Sequence, residues 1–322
     1  MFKLRNIFIV LLVFCFVYPS SSVKTMFELP EAEAGFRKVI FLTNADTSWT
    51  VPNDWNNQAN MIEVIAGGGG AGDGNGEGTG GAGGGAYAKG INIQLVPGTV
   101  MVAPTNFDIG DGGPGATSPN VGGSNGGDTW FNASSLANCI TLGNTVCVAA
   151  ENGMLSAGNN TTAGAGGEAA NSVGVVTFNG GTGGVGDSGA ADAGAGGGGA
   201  AGPNGPGNTG IDGASGGAGG SGDAGFGGAG GTGGATNGNN GGDGKEWGTN
   251  GSTAGSGGGG EGGTNGAIGG NGGLYGAGGG GGEANAASGL GDGTDGIIVI
   301  TYVPSGHVIR GLVKIRGYVR FR

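Results

Sequence analysis

The sequence is poor in the residues that most catalytic and metal sites require. Its single histidine, His307, lies near the C-terminus, which excludes a histidine-based catalytic triad or a multi-histidine metal site. The phosphate-loop pattern is absent, since Lys245 is followed by Glu246. G-x-G-x-x-G matches are plentiful, but 90 glycines in 322 residues produce them by chance. We therefore expect no catalytic residues, no cofactor and no enzymatic activity.

Carboxylates provide the remaining candidates for metal binding or glycoside cleavage. Asp108 and Asp111, or Asp73 and Glu77, have the oxygen ligands that calcium prefers. A paired-carboxylate site for glycoside cleavage remains an alternative, although nothing in the sequence singles out one pair. We expect these side chains to be solvated loop carboxylates, and we expect no metal site.

Basic residues are scarce through most of the chain. Residues 26–304 contain four basic residues and all 23 acidic ones, a net charge of −19, which argues against a nucleic-acid partner. The last segment, 305–322, instead carries five basic residues and no acidic one. From Leu312 its polar and apolar residues alternate as in a half-buried strand, so it either docks on a partner protein or forms a solvated tail.

The sequence has only three cysteines and one long apolar run. Residues 1–25 have a basic start and an apolar stretch too short to span a bilayer, typical of a secretory signal peptide. The alternative is an over-extended gene start, with Met26 as the initiator. Cys139 and Cys147 would bridge the arms of a hairpin in a secreted protein, or remain two small apolar residues in a reducing cytosol.

Glycine is what the sequence has in abundance. From Gly207 to Gly234 every third residue is glycine, within a glycine-rich tract at 158–295. A polyproline-II-type helix has three residues per turn and no internal hydrogen bonds, and glycine at each third position lets neighbouring backbones approach and bond to each other. The period therefore predicts a bundle of polyglycine-II helices. Collagen is a poor alternative, because the tract has little proline and its period slips.

The slips in the period predict turns of the chain. The glycine phase shifts after Gly234 and again after Gly244, each time by one extra residue. One uninterrupted rod over residues 207–236 would be about 90 Å long, so we expect further turns inside it. Large side chains cannot enter such a bundle and should lie at turns or outside. This makes three aromatic residues the candidates for receptor contact: Phe226, Trp247 and Tyr275.

Short β-branched runs bounded by turn residues flank the tract and predict strands. We expect a β-rich domain at 26–157 and a closing strand at 296–304 that returns to it. Tyr87, Ile91, Ile93 and Leu95 would share one face of a strand that turns at Pro97-Gly98, and Cys139 and Cys147 would lie in paired strands. The glycine loop 67–85 should protrude from the sheet. The predicted remaining runs are 39–43, 49–52, 61–66, 99–103, 128–131 and 175–178. The predicted fold is mainly β, a β-sandwich with a large glycine-rich insertion and almost no α-helix.

Several ordered segments resemble the glycine-rich proteins of tailed bacteriophages, including receptor-binding adhesins at tail-fibre tips. They begin with F-L-T-N-A-D-T-S-W-T-V-P and M-I-E-V-I-A-G-G-G-G, continue through G-G-D-T-W-F and N-G-G-L-Y-G-A-G-G-G, and end with D-G-I-I-V-I-T-Y-V-P. The resemblance covers residues 38–304. It implies a virion tail protein with a polyglycine-II sandwich that binds a bacterial outer-membrane protein or surface polysaccharide. The signal-like start and the basic tail depart from this pattern.

Three functions follow for comparison. The first is a non-enzymatic tail-fibre or tail-tip adhesin that binds its receptor through turns of a rigid scaffold, with the basic C-terminal strand contacting a tail-fibre partner. The second is a secreted structural or ice-binding protein, and the third is a tail-associated polysaccharide-degrading enzyme. The adhesin is expected in the virion tail, or at the cell surface or outside the cell if the signal peptide is real.

Overall fold

The computed structural model describes residues 37–74, 77–158, 161–188, 193–234, 237–248, 255–264, 267–282 and 290–306. Residues 38–305 form one compact unit. The predicted signal peptide at 1–25 and nearly all of the basic segment at 305–322, including His307, lie outside the described residues.

The described residues are mainly β, as predicted. They form ten strands, one α-helix (α1, Leu136–Leu142) and two short 3-10 helices, Ala169–Asn171 and Asp223–Gly225. The strands, in chain order, are β1 (Lys38–Leu42), β2 (Ser48–Thr50), β3 (Asn60–Ile65), β4 (Tyr87–Ile91), β5 (Val100–Val102), β6 (Phe107–Asp108), β7 (Thr129–Phe131), β8 (Val148–Ala150), β9 (Val176–Phe178) and β10 (Ile297–Tyr302).

All sheet pairings are antiparallel. The largest sheet has the order β1-β10-β3-β4-β9, and two smaller sheets contain β2-β5 and β6-β7-β8. The prediction that the last strand returns to the N-terminal sheet is confirmed, since β10 lies between β1 and β3. Its residues alternate between the two faces, as the two-residue strand period requires.

One face of the five-stranded sheet packs on side chains from both smaller sheets. Ile62 and Ile300 of the large sheet share a buried cluster with Trp49 of β2 and Phe131 of β7. Trp55 joins it, with its ring 5.8 Å from that of Trp49. The tryptophans of the T-S-W-T-V-P-N-D-W segment are therefore core residues.

Two strand predictions are wrong in detail. The strand predicted to contain Ile91, Ile93 and Leu95 on one face ends at Ile91, because Asn92 adopts a left-handed conformation with φ of 55°. This bend leaves Ile91 exposed while Ile93 and Leu95 are buried. The following run, after the turn at Gly98, pairs with β2 rather than with β4.

The cysteine prediction is partly wrong. Cys139 and Cys147 form a disulfide, but Cys139 lies in α1 and not in a strand, so the bond does not join the arms of a hairpin. Ser135 caps α1 by accepting a hydrogen bond from the Asn138 amide, which favours helix at this position. The disulfide instead holds α1 against the chain entering β8.

Glycine segments fill the rest of the unit, and their backbone hydrogen bonds return to the same neighbour at every third residue. In segment 78–86, amides three residues apart donate to 179–187, the next set donates to 276–282, and the third to 151–157. The three sets of donors are Gly78, Gly81 and Gly84; Thr79, Ala82 and Gly85; and Gly83 and Ala86. Successive amides thus face different neighbours, which satisfies backbone groups that no helix or strand within the segment satisfies.

Five glycine segments are buried throughout: 66–74, 78–86, 193–201, 255–264 and 276–282. The best example is 193–201, whose amides and carbonyls bond to six neighbouring segments, at 79–85, 181–187, 208–211, 217–223, 257–263 and 278–281. The prediction that residues 67–85 protrude from the sheet is therefore wrong. Two of the five buried segments come from that loop, because its glycines allow the same close approach as those of the later tract.

The predicted turns of the tract are present. The chain turns at Gly233–Gly234 and at Glu246–Trp247, where the glycine phase slips. It also turns at 213–216 and at 223–227, inside the predicted long run. Gly234 has a φ of 97°, which favours glycine at the first slip.

The packing of glycine segments predicts a position-specific effect of adding one methyl group. A Cβ at Gly81 would overlap the backbone of Gly196 and Gly197, whereas at Gly242 the nearest atoms would be 3.3 Å away. We expect Gly81→Ala to lower the free energy of unfolding by about 1–3 kcal/mol or more, since backbone cannot move aside as a side chain can. Gly242→Ala should change it by less than about 1 kcal/mol. Denaturant unfolding of both variants measures this, and equal effects would contradict the packing argument.

Candidate functional site

The direction of each glycine segment places its turns at one of two ends. Segment 66–74 continues from β3 and segment 78–86 leads into β4, so the turn between them lies away from the five-stranded sheet. We call turns at that end distal turns and those at the other end sheet-end turns. The distal turns that the structure describes completely are 117–120 and 213–216.

The distal turns expose side chains on a fixed backbone. All residues of 117–120 are exposed, and Asn120 adopts a left-handed conformation with φ of 59°, which asparagine tolerates. In the second turn, Ala214 and Ser215 are exposed between buried Gly213 and Gly216. The amide of Gly213 donates to the carbonyl of Val185 at 2.9 Å, which fixes the base of this turn.

The three predicted receptor-contact residues lie at sheet-end turns. Trp247 and Tyr275 are only partly exposed and pack against a cluster that contains Ile65 and Tyr87. Phe226 differs from them, because 74% of its surface is exposed. The structure therefore brings Trp247 and Tyr275 to the same cluster and leaves Phe226 accessible to a partner.

A buried carboxylate that the sequence analysis missed holds Trp247 against the sheet. The Trp247 indole Nε1 donates to Oε2 of Glu63 at 3.1 Å, and the Tyr87 hydroxyl donates to Oε1 at 2.5 Å. The rings of Tyr87 and Trp247 stack with their centroids 6.4 Å apart. Glu63 is 3% exposed, and desolvation raises its pKa above the usual range, partly offset by these two hydrogen bonds. A glutamate within the apolar run M-I-E-V-I was the available signal.

A second buried carboxylate fixes the turn that carries Phe226. Asp223 is fully buried and accepts hydrogen bonds from the backbone amides of Asn204 and Gly205, at 2.6 and 2.8 Å. Asp223 and Ala224 both have left-handed φ values, 47° and 55°, which cost energy in residues with a Cβ. The surrounding contacts hold this strained turn in place, so Phe226 is presented on a rigid backbone.

The carboxylates considered for calcium do not form a site. Asp73 is buried and Glu77 is exposed, while Asp108 is half-buried and Asp111 exposed. Within the described ranges, no group of three or more histidine, cysteine, aspartate or glutamate side chains is placed to hold a metal ion. Across the same ranges there is no helix with the length and apolar character needed to cross a membrane.

The raised pKa of Glu63 predicts how stability depends on pH. Because the folded state disfavours ionised Glu63, its contribution to stability is complete below the unfolded pKa, about 4.3, and is lost as pH rises through the folded pKa. Glu63→Gln removes this titration while retaining groups that bond to Tyr87 and Trp247. We expect the variant to gain stability relative to the wild type as pH rises from about 4 to 7. Thermal unfolding across this range measures it, with exposed Glu77→Gln as the charge control; a pH-independent difference would contradict the expectation.

Comparisons with known proteins identify no relative. No family model matches the chain. A search of curated proteins also finds no matching sequence. The functional argument therefore depends on the residues and geometry described above.

Proposed function

We propose that the chain is a tail-fibre or tail-tip adhesin-like structural protein of a tailed bacteriophage. In this proposal a rigid body of polyglycine-II helices carries turns that bind an outer-membrane protein or surface polysaccharide of a bacterium. The observation that carries it is the threefold repeat of hydrogen bonds among buried glycine segments, which leaves the turns as the variable parts of the molecule.

The hydrogen-bond repeat supports the polyglycine-II part of the proposal. A helix with three residues per turn aims every third amide at the same side, and it forms no hydrogen bonds within itself. The donors of segment 78–86 follow this rule toward three neighbours. The packing of the five-stranded sheet on both smaller sheets likewise supports a β-sandwich at the base of the bundle.

The distal turns are the proposed receptor-binding surface. A side chain added inside the body meets backbone atoms at once, whereas residues of 117–120 and 213–216 face solvent. Turns on a rigid scaffold can change in sequence without loss of the fold, and binding residues are often found on such loops. The body also limits the entropy lost on binding, because the bases of the turns are already fixed.

Phe226 is a second proposed contact, because an exposed aromatic side chain on a fixed turn suits an interface anchor. Trp247 and Tyr275 stay in the proposal as residues that position sheet-end turns and offer their exposed edges. Residues 305–322 are proposed to contact a tail-fibre partner protein through their basic residues, in the virion tail.

The proposal predicts that binding to cells depends on the distal turns. Labelled full-length protein should bind saturably to one or more strains of a bacterial panel that differ in outer-membrane proteins and surface polysaccharide. Ser118→Arg and Ser215→Arg should each reduce that binding at least tenfold, because a bulky charge disrupts a complementary interface. Their thermal midpoints should match that of the wild type, since both side chains are exposed.

Thr50→Arg is the matched control, because Thr50 is exposed on β2 and far from both distal turns in the topology. Phe226→Ala tests the second contact in the same assay. Absence of saturable binding to every strain would overturn the adhesin proposal. Binding that survives both distal substitutions would overturn the distal surface, and binding that survives Phe226→Ala would remove that residue.

A further inference from the structure

An open cleft of about 660 Å³ lies beside the loop that follows β1, away from the turns discussed above. Its other walls come from the outer glycine segments 109–116 and 121–127 and from the paired strands β6 and β7. The polar lining residues on which the argument depends are Asp46, Asp108, Asp111, Asn125, Asp128 and Trp130.

The cleft is strongly acidic. Four of its lining residues are aspartates, and none is a lysine or arginine. The nearest described basic residue in sequence, Lys38, is paired with Asp54 at 2.6 Å. Burial raises the pKa values of Asp108 and Asp128 above their usual range, because the cleft walls remove part of their hydration. A cationic ligand would relieve this unfavourable concentration of charge.

The carboxylates are held in place by one oxygen each. Oδ2 of Asp46 accepts hydrogen bonds from the amide and hydroxyl of Thr43, at 2.9 and 3.1 Å. Oδ1 of Asp128 accepts from the Asn152 amide at 3.0 Å. Among the described residues, the second oxygen of each of these two carboxylates has no hydrogen-bond donor. The cleft therefore offers oriented, unsatisfied acceptors.

A hydrogen-bond donor in the cleft wall is also unsatisfied. The indole nitrogen of Trp130 is buried and has no acceptor in the described part of the chain. Trp130 lies opposite Asp108 in the β6–β7 pairing, so a carboxylate and an aromatic ring stand side by side. Buried polar atoms without a partner are uncommon in folded proteins, and an oxygen-bearing ligand would satisfy this one.

The spacing of the acidic groups argues against a metal ion. No three of the carboxylates that the structure describes converge closely enough to hold one. Dispersed acceptors around a cleft of this size match a ligand whose polar groups are themselves spread over a ring. Oxygen, amide and aromatic groups are the usual partners of such a ligand.

We propose that this cleft binds a sugar that carries a protonated amino group. The ammonium group faces the aspartates, the hydroxyl groups exchange hydrogen bonds with the free carboxylate oxygens and Asn125, and a ring or hydroxyl oxygen accepts from the Trp130 indole. This site is separate from the distal turns and does not depend on the proposed adhesin function.

Titration calorimetry on the full chain tests the proposal with three small molecules. Glucosamine should bind with a dissociation constant at least tenfold below that of N-acetylglucosamine, which lacks the charge. It should also bind more tightly than cyclohexylamine, which has the charge but no hydroxyl groups. Equal binding of N-acetylglucosamine, tighter binding of cyclohexylamine, or no binding of glucosamine would each overturn the proposal. So would calcium chloride that displaces glucosamine at equal concentration.

Single substitutions locate the site. Asp111→Asn and Trp130→Phe should each weaken glucosamine binding at least threefold, the first by removing charge and the second by removing the indole N–H group. Asp212→Asn is the matched control, because Asp212 is an exposed carboxylate on an outer glycine segment that does not line the cleft. Thermal midpoints of all variants establish that they are folded. Unchanged binding in both cleft variants would overturn the assignment, whatever the outcome of the cell-binding experiment.

Discussion

Close contact between glycine backbones is the constraint on which the rest of this structure depends. Segments such as 193–201 satisfy their amides and carbonyls through neighbouring segments, and this is possible only where no Cβ separates two backbones. Ordering so many glycines costs more conformational entropy than ordering any other residue. The cost is offset collectively, because each added segment supplies partners to several others, so the body has no stable smaller part.

The antiparallel strands set the register of this body. β3, β4, β7, β8, β9 and β10 each continue directly into a glycine segment or follow from one. Side chains such as Ile62 and Ile300 have specific packing partners, whereas one glycine triplet resembles the next. A shift by one triplet would therefore be nearly free within the glycine segments alone. The hydrophobic core and the Glu63 bonds to Tyr87 and Trp247 remove that ambiguity.

Features with a sequence period or a run of β-branched residues could be predicted. The central return of β10 and the turns at the glycine phase slips follow from such patterns. The role of residues 67–85 could not, because one short glycine run does not reveal how many neighbours it will have. Nor could the left-handed bend at Asn92 or the helix around Cys139, where local capping decides. The acidic cleft brings together residues from 44 to 130 that no linear motif connects.

The central position of β10 has a consequence for how the protein is made. The two strands that flank it, β1 and β3, are synthesised more than 200 residues earlier, and neither can complete its pairing until residues 297–302 leave the ribosome. Contacts of such long sequence separation form slowly, since the loop must close before it is rewarded. During translation the emerging chain therefore waits with two unpaired strand edges and an acidic, glycine-rich loop between them. Its charge then serves a second purpose, keeping unfinished chains apart until the last strand arrives.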